Sequence, residues 1–360
     1  MIVLGIDPHK KSHTAVALEA ATGELLGELT VQTTAAGQAQ LLGWARRLGS
    51  ERRFALEDCR HLTGRLERFL IERGEASVRV PPKLMAQTRR SARTRGKSDA
   101  IDAAAVARAA LREPHLPEAC LPGPERELRL LCDHRSDLVA ERTRIQGRLR
   151  WHLHDLAVKL EVPAKALDRA CWLTRLAEAL ATLPAGVQVR IARDLTERCR
   201  TLTAEINALE RELTTLTAEL APELLALPGC GALTAACLVG ETAGALRFAS
   251  EARFAMHAGV APVPVSSGRT DRYRLNRRGN RQLNCALHRI AVTQMRMHEP
   301  ARAYMARKRA EGKTKREALR CLKRHLARTV WRALRAAETR REAMLASIDP
   351  STQPALALAS

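Results

Sequence analysis

The sequence predicts an α/β amino-terminal domain with a mixed sheet, then a long helical segment, then a mostly helical carboxyl-terminal domain. Three observations carry this. Short β-branched runs separated by turns open the chain and then alternate with helical stretches. Pro114, Pro117, Pro122 and Pro124 break that pattern. Leucines then recur at near-helical spacing from Glu125 to Leu220.

Ile2-Val3-Leu4-Gly5-Ile6 is a strand ending at Asp7, and Pro8 to His13 is a turn. Thr14 to Leu18 forms a second strand, Gly23 a turn and Glu24 to Val31 a third, together an antiparallel meander. Gly37 to Leu48 reads as a helix. Phe54-Ala55-Leu56 is a strand that delivers Glu57 at its end. Leu62 to Arg73 is a helix, and Ser77 to Val80 a strand stopped by Pro81-Pro82. A basic stretch, Arg89-Arg90-Ser91-Ala92-Arg93-Thr94-Arg95, then runs into Gly96-Lys97-Ser98-Asp99. Ser98 suits a helix N-cap, and the alanine-rich run behind it has high helix propensity.

Past the prolines, Leu128, Leu131, Leu138, Ile145, Leu149 and Leu153 fall mostly on one helical face. Leu195, Leu202, Ile206, Leu209, Leu213, Leu216 and Leu220 keep near-heptad spacing. Long antiparallel or coiled-coil helices fit, either as a spacer or as an oligomerisation segment. Leu227-Pro228-Gly229-Cys230-Gly231 resembles a helix-hairpin-helix turn. The amides of Gly229 and Gly231 would there meet a DNA phosphate, or the turn joins two core helices. Asn280 to Arg296 and Glu317 to Thr339 are helical in pattern. The expected domains are 1–115, 125–222 and 223–340, with 341–360 a disordered tail.

The formal net charge is +21 over 360 residues. An imbalance of that size points to a polyanion, with nucleic acid ahead of a membrane surface. No stretch reads as a spanning helix. The nine cysteines form no C-x-x-C pair, which favours reduced thiols in a cytosol over zinc or a disulfide framework. Aromatic residues make up 3%, so arginine contacts to backbone phosphates are favoured over base stacking. Between Ser267 and Arg328 there are 19 Lys/Arg against four Asp/Glu. A solvated face normally mixes signs, so Arg269, Arg272, Arg274, Arg277, Arg278 and Arg281 are candidates for nucleic-acid contact.

Asp99 and Asp102 leave one face of a first helical turn. They either complement the helix dipole or join Asp7 and Glu57, which stand at strand ends where such sheets place ligands. Together the four form an oxygen-only cluster suited to Mg²⁺ or Mn²⁺. Such metals serve phosphodiester chemistry. Asp58 competes with Glu57 for the second position. His9, His13 and His61 read as local polar residues rather than ligands.

Gly5-Ile6-Asp7, Leu56-Glu57 and Lys97-Ser98-Asp99-Ala100-Ile101-Asp102 resemble the DEDD set of RuvC-like, ribonuclease-H-fold nucleases. Ala258-Gly259-Val260-Ala261-Pro262, Ser266-Ser267-Gly268 and Arg278-Gly279-Asn280-Arg281-Gln282-Leu283-Asn284 narrow the match. With these the chain resembles the insertion-sequence-110 transposases, relatives of the Piv DNA invertases, over roughly residues 1 to 340. The resemblance implies a ribonuclease-H-like catalytic domain whose acids are Asp7, Glu57, Asp99 and Asp102. It favours Glu57 over Asp58, and it implies Mg²⁺ or Mn²⁺ as cofactor. It also implies a carboxyl-terminal nucleophile, Ser267, with Ser266 as the fallback, that links covalently to DNA. The implied partners are donor and target DNA, a structured bridge RNA that guides the enzyme, and further copies of the chain in a dimer or tetramer. The implied location is the bacterial cytoplasm, at the nucleoid and away from membranes.

Competing readings are a RuvC-like nuclease without a covalent step, an invertase without an RNA guide, and a non-catalytic nucleic-acid-binding protein. A strand ending in Gly-x-Asp also opens sugar kinases and actin-like ATPases, but no glycine-rich adenosine-binding segment accompanies it here.

Overall fold

The computed structural model describes residues 1–82, 84–85, 88, 98–113, 116, 118–119, 123–265, 273–274, 276 and 279–348, except the side chains of residues 60, 61, 346 and 348. The chain forms two compact units, Met1–Pro122 and Gly123–Ser360.

The first unit is built on a five-stranded sheet of β1 (Ile2–Pro8), β2 (Ser12–Glu19), β3 (Leu25–Gln32), β4 (Arg52–Glu57) and β5 (Ser77–Val80). The strand order is β3-β2-β1-β4-β5. The first three strands pair antiparallel, whereas β1, β4 and β5 run parallel. This is the expected meander followed by alternating helix and strand, in a ribonuclease-H-like order.

Side chains alternate across the sheet. Ile2, Leu4, Ile6, Phe54 and Leu56 share a core with Leu41, Leu42, Leu66 and Leu70 of α1 (Ala35–Leu48) and α2 (Arg60–Ile71). Val3 and Ala55 face the opposite way, into a core with Ala103, Val106 and Ala107 of α3 (Asp99–Arg112). Ser98 caps α3 as its sequence suggests, its Oγ accepting from the Ile101 amide at 3.3 Å.

The second unit is helical apart from a short ribbon. Its long helices are α4 (Pro124–Asp155), α5 (Ala170–Ala181) and α6 (Val187–Leu220). The 125–220 stretch is therefore interrupted twice, where Pro163, Pro184 and Gly186 forbid or disfavour helix. Ile145, Leu149, Leu173, Leu176, Leu195 and Leu202 close one core between these helices. Leu128 and Leu213 belong to a second core with the remaining helices. The leucine stripes are thus largely spent within the chain, which removes much of the apolar seam that a coiled coil between copies would use.

The second core gathers α7 (Pro222–Leu225), α8 (Ala232–Thr242), α9 (Glu251–His257), α10 (Arg281–Met297), α11 (Glu299–Ala310) and α12 (Lys315–Ile348). Helix α12 runs past residue 341, where the sequence reading placed the start of a tail. Arg340 ion-pairs with Glu223 at 2.8 Å, and Arg341 pairs with Glu125, so this end of the helix is anchored to the unit's other helices. Residues 349–360 lie outside the described residues. Among the described residues every cysteine is a free thiol, and no helix is long and apolar enough to cross a membrane.

Candidate functional site

The acids converge at the carboxyl ends of the parallel strands. Ile6 pairs with Leu56 across β1 and β4, so the next residues, Asp7 and Glu57, stand side by side. Ala55 faces the α3 side of the sheet, and alternation turns Glu57 to that side as well. Asp58 lies beyond the strand, its amide donating to the Val80 carbonyl at 3.0 Å. The register thus sets Glu57, the acid that the resemblance favours, beside Asp7, and Asp58 one residue beyond the strand.

Gly5 lets α3 approach. A Cβ at this position would lie 2.1 Å from the Ala103 carbonyl oxygen and 2.5 Å from the Ala107 amide nitrogen. Gly5 and Asp7 share one face of β1, so the contact that seats α3 also brings its first turn over Asp7. That turn carries Asp99, exposed, and Asp102, which is buried.

The electrostatics follow from the geometry. Asp7 is 6% exposed. Burial, with the charges of Asp102, Glu57 and Asp99, raises its pKa to about 6, against a lowering effect of His9. The neighbouring Cys59 thiol is pushed up by burial and then by Glu57, Asp58 and Asp7. A buried carboxylate with three further acids near it is a donor set suited to a divalent cation. The sequence reading set His9 aside, yet its Nε2 lies 3.3 Å from Asp7 Oδ2 and 3.2 Å from Asp99 Oδ1. It stands in the turn two residues after Asp7. His13 is buried in β2 and its pKa is lowered, first by burial and then by His9. The His61 side chain and the basic stretch 89–97 lie outside the described residues.

A second constellation is in the helical unit. Strands β6 (Val263–Pro264) and β7 (Tyr273–Arg274) pair antiparallel and close a ribbon whose connecting residues include Ser266 and Ser267. Ser266, Ser267, Arg269, Arg272, Arg277 and Arg278 lie outside the described residues. Arg274 and Arg281 are exposed.

The base of this ribbon is tightly fixed. Gly259 has φ +67, and a Cβ on Gly279 would lie 2.1 Å from the Gly259 nitrogen. Asn280 caps α10, accepting from the amides of Gln282 and Leu283 at 2.9 and 3.0 Å and donating to Glu241. Asn284 donates to the carbonyls of Ala258 and Gly259 at 3.2 and 3.0 Å and accepts from Lys323. Lys323 is buried, which lowers its pKa. Glu241 also pairs with Arg129 at 3.5 Å. The sequence reading missed Glu241, Lys323 and Arg129, because each comes from a distant helix with no local motif.

Gly229 and Gly231 have visible structural work. Gly229 has φ +78, and a Cβ there would meet the Thr293 side chain at 3.1 Å. Gln294 donates to the Pro228 carbonyl at 2.7 Å, which holds the turn against α10. Gly231 is the exposed N-cap of α8.

Comparison with known proteins matches both regions. Residues 4–157 match the transposase domain DEDD_Tnp_IS110, and residues 221–306 match the domain described as "Transposase IS116/IS110/IS902 family". An uncharacterized 44.8 kDa protein of insertion element IS116 from Streptomyces clavuligerus is 31% identical, over 93% of this chain and 94% of that protein. An uncharacterized 42 kDa protein of insertion element IS900 from Mycobacterium paratuberculosis is 30% identical, over 74% of this chain and 78% of its own. The putative transposase y4rJ of Sinorhizobium fredii is 32% identical over 65% of this chain and 63% of its own. Among solved structures, Thermus thermophilus RuvC, free and with a Holliday junction substrate, aligns to 33% of this chain at 17% and 16% identity with a TM-score of 0.27. With the IS116 protein 31% identical along nearly its whole length, and two transposase domains of the family matched, this chain belongs to the IS110 family of insertion-element transposases.

Proposed function

We propose that this transposase breaks and rejoins DNA with two separate groups of residues, an acidic site on the sheet and a serine on the ribbon. The observation that carries the reading is the convergence of Glu57, Asp99 and Asp102 on the buried Asp7. These four hold a divalent cation, Mg²⁺ or Mn²⁺, which when bound activates a nucleophile and stabilises a leaving oxygen. Asp7 and Glu57 contribute from strand ends, Asp99 and Asp102 from a helix start, so the donors are pre-positioned by backbone pairing.

In this reading Ser267, with Ser266 as the fallback, attacks a DNA phosphate and forms a covalent link. The ribbon base at Gly259, Gly279, Asn280 and Asn284 fixes the ends of the segment that bears it. A serine hydroxyl is a weak nucleophile near neutral pH and needs a base or a metal. Arginines 269, 272, 274, 277, 278 and 281 hold phosphates, with the amides at Gly229 and Gly231 as a further contact. A structured bridge RNA selects donor and target, and the acids of one protomer meet the serine of another in a dimer or tetramer. The protein works in the cytoplasm, at the nucleoid.

The test uses full-length protein with element-end DNA and RNA copurified from cells. Asp102→Asn and Ser267→Ala should each fold and bind DNA yet give no strand transfer. Ser267→Ala should also give no denaturant-resistant DNA adduct, and mixing the two variants should restore part of the activity. Metal-dependent cleavage that survives Ser267→Ala would instead identify a nuclease without a covalent step. Transfer by Asp102→Asn at the parental rate would refute the acid site. DNA affinity should fall about a thousandfold or more between about 50 and 200 mM salt. A flat salt response would exclude arginine–phosphate contacts as the main source of binding.

A further inference from the structure

His9 places a nitrogen among the acids. It lies in the turn between β1 and β2, and its amide donates to the Ser12 carbonyl at 2.8 Å, so the turn is closed rather than splayed. Its Nε2 is 3.3 Å from Asp7 Oδ2 and 3.2 Å from Asp99 Oδ1. One ligand atom from each of Asp7, His9 and Asp99 lies within 4.8 Å of the others. The imidazole is about half exposed, so burial does not force it into this position.

Two near-equal contacts have two physical accounts. A single Nε2–H points well at one acceptor and poorly at a second. Neighbouring ligands of a six-coordinate ion, by contrast, have a natural spacing. Bonds of about 2.1 Å set cis ligand atoms about 3 Å apart. The distances from Nε2 to the two carboxylates are close to that spacing, and the atoms come from a strand end, a turn and a helix start that are already held together.

We propose that His9 is a nitrogen ligand of the divalent ion at this site and biases the site toward Mn²⁺ over Mg²⁺. This rests on the acid-site reading above and adds a ligand outside the four acids. Mg²⁺ favours oxygen donors and keeps its waters, whereas imidazole favours transition ions. A four-carboxylate site would discriminate weakly. One imidazole in the set shifts the preference without changing the charge of the cluster.

The experiment uses the full chain and Mn²⁺ alone as the probe. Pulsed electron paramagnetic resonance of bound Mn²⁺ should show nitrogen hyperfine coupling in the parent protein, and His9→Gln should remove it. Competition between Mn²⁺ and Mg²⁺, read by the free Mn²⁺ signal, should show the preference for Mn²⁺ falling about tenfold in His9→Gln. Circular dichroism checks that the variant folds, and His9→Asn serves as the second variant if it does not. Bound Mn²⁺ without nitrogen coupling in the parent overturns the inference while leaving the acid site standing, since His9 would then be only a counter-ion of Asp7 and Asp99. A nitrogen signal that persists in His9→Gln, or an unchanged ion preference, overturns it as well. Parent protein that binds no more Mn²⁺ than Asp102→Asn overturns both this inference and the acid site.

Discussion

The acid-bearing sheet and the base of the ribbon are held by the same device used to different ends. In both, two backbone segments approach closer than a Cβ allows. At Gly5 the approach lets α3 lie on β1, which brings four acids from three elements to one place. At Gly279 the approach locks the residues before α10 against Gly259, which fixes where a ribbon starts and ends. The first contact gathers the acids, whereas the ribbon is held only at one end, its base. The second fixes that base, with side chains of Asn280 and Asn284 tying it to Glu241 and Lys323. The difference is that several carboxylates are brought together only by an element laid across the sheet, whereas a ribbon needs only its two chain ends held.

The largest effects should come from breaking each approach. Gly5→Ala places a methyl 2.1 Å from a backbone oxygen, and Gly279→Ala places one 2.1 Å from a backbone nitrogen. Neither neighbour is a flexible side chain, so each substitution should cost about 3 kcal/mol or more. The consequences should separate. Gly5→Ala should lower both the melting temperature and Mn²⁺ affinity. Gly279→Ala should lower the melting temperature and abolish adduct formation while leaving Mn²⁺ affinity at the parental level. A Gly5→Ala protein with parental metal affinity would show that the α3 contact does not assemble the acids.

A smaller effect distinguishes the sites by charge. Asp7 has its pKa raised from an ordinary 3.8 to about 6, chiefly by burial and then by the three neighbouring acids. The folded state therefore holds this proton more tightly than the unfolded chain does. The resulting stabilisation is complete below pH 3.8 and is lost as pH rises through about 6. Above that, ionised Asp7 opposes folding. Asp7→Asn should stabilise the ion-free protein at pH 7–8 by roughly 2 kcal/mol, with the gain vanishing near pH 4. Added Mn²⁺ should raise the melting temperature of the parent and not of the variant. A variant less stable than the parent at pH 8 without ions would mean that Asp7 is already compensated by its surroundings.

Much of the first unit was legible because its signals are local. Strand runs, the Ser98 cap and the alternation of β1 follow from neighbouring residues. The positions of Asp7, Asp99 and Asp102 follow for the same reason, since each sits at the end of a recognisable element, whereas Glu57 was preferred through the family resemblance. That Glu57 stands beside Asp7 is visible only in the β1–β4 register, which is a long-range pairing. The contacts of His9 could not be read because a turn histidine carries no periodicity, and only the fold brings it between Asp7 and Asp99. In the second unit the leucine spacing showed helices but not their breaks, although Pro163, Pro184 and Gly186 stood in the sequence. The polar residues beneath the ribbon, Glu241 and Lys323, were illegible because their partners lie 39 positions away.

The smallest contrast lies in the two helix caps that begin these sites. Ser98 offers one oxygen to one amide at 3.3 Å on an exposed helix start. Ser98→Ala should therefore cost about 0.5–1 kcal/mol. Asn280 accepts from two amides, at 2.9 and 3.0 Å, and its amide group also donates to Glu241, which is buried. Asn280→Ala removes the cap and leaves the Glu241 carboxylate with one fewer donor in a site shielded from water, so the two losses add to about 2 kcal/mol. Asn280→Asp separates the contributions: it keeps the cap oxygen but sets a carboxylate against Glu241, so it should be no more stable than Asn280→Ala. The check is urea denaturation of the three variants at equal ionic strength. An Asn280→Ala protein as stable as Ser98→Ala would show that the Glu241 bond contributes nothing. An Asn280→Asp protein at parental stability would show that the cap alone fixes the start of α10, and the base of the ribbon would then depend on the Gly259–Gly279 contact and Asn284.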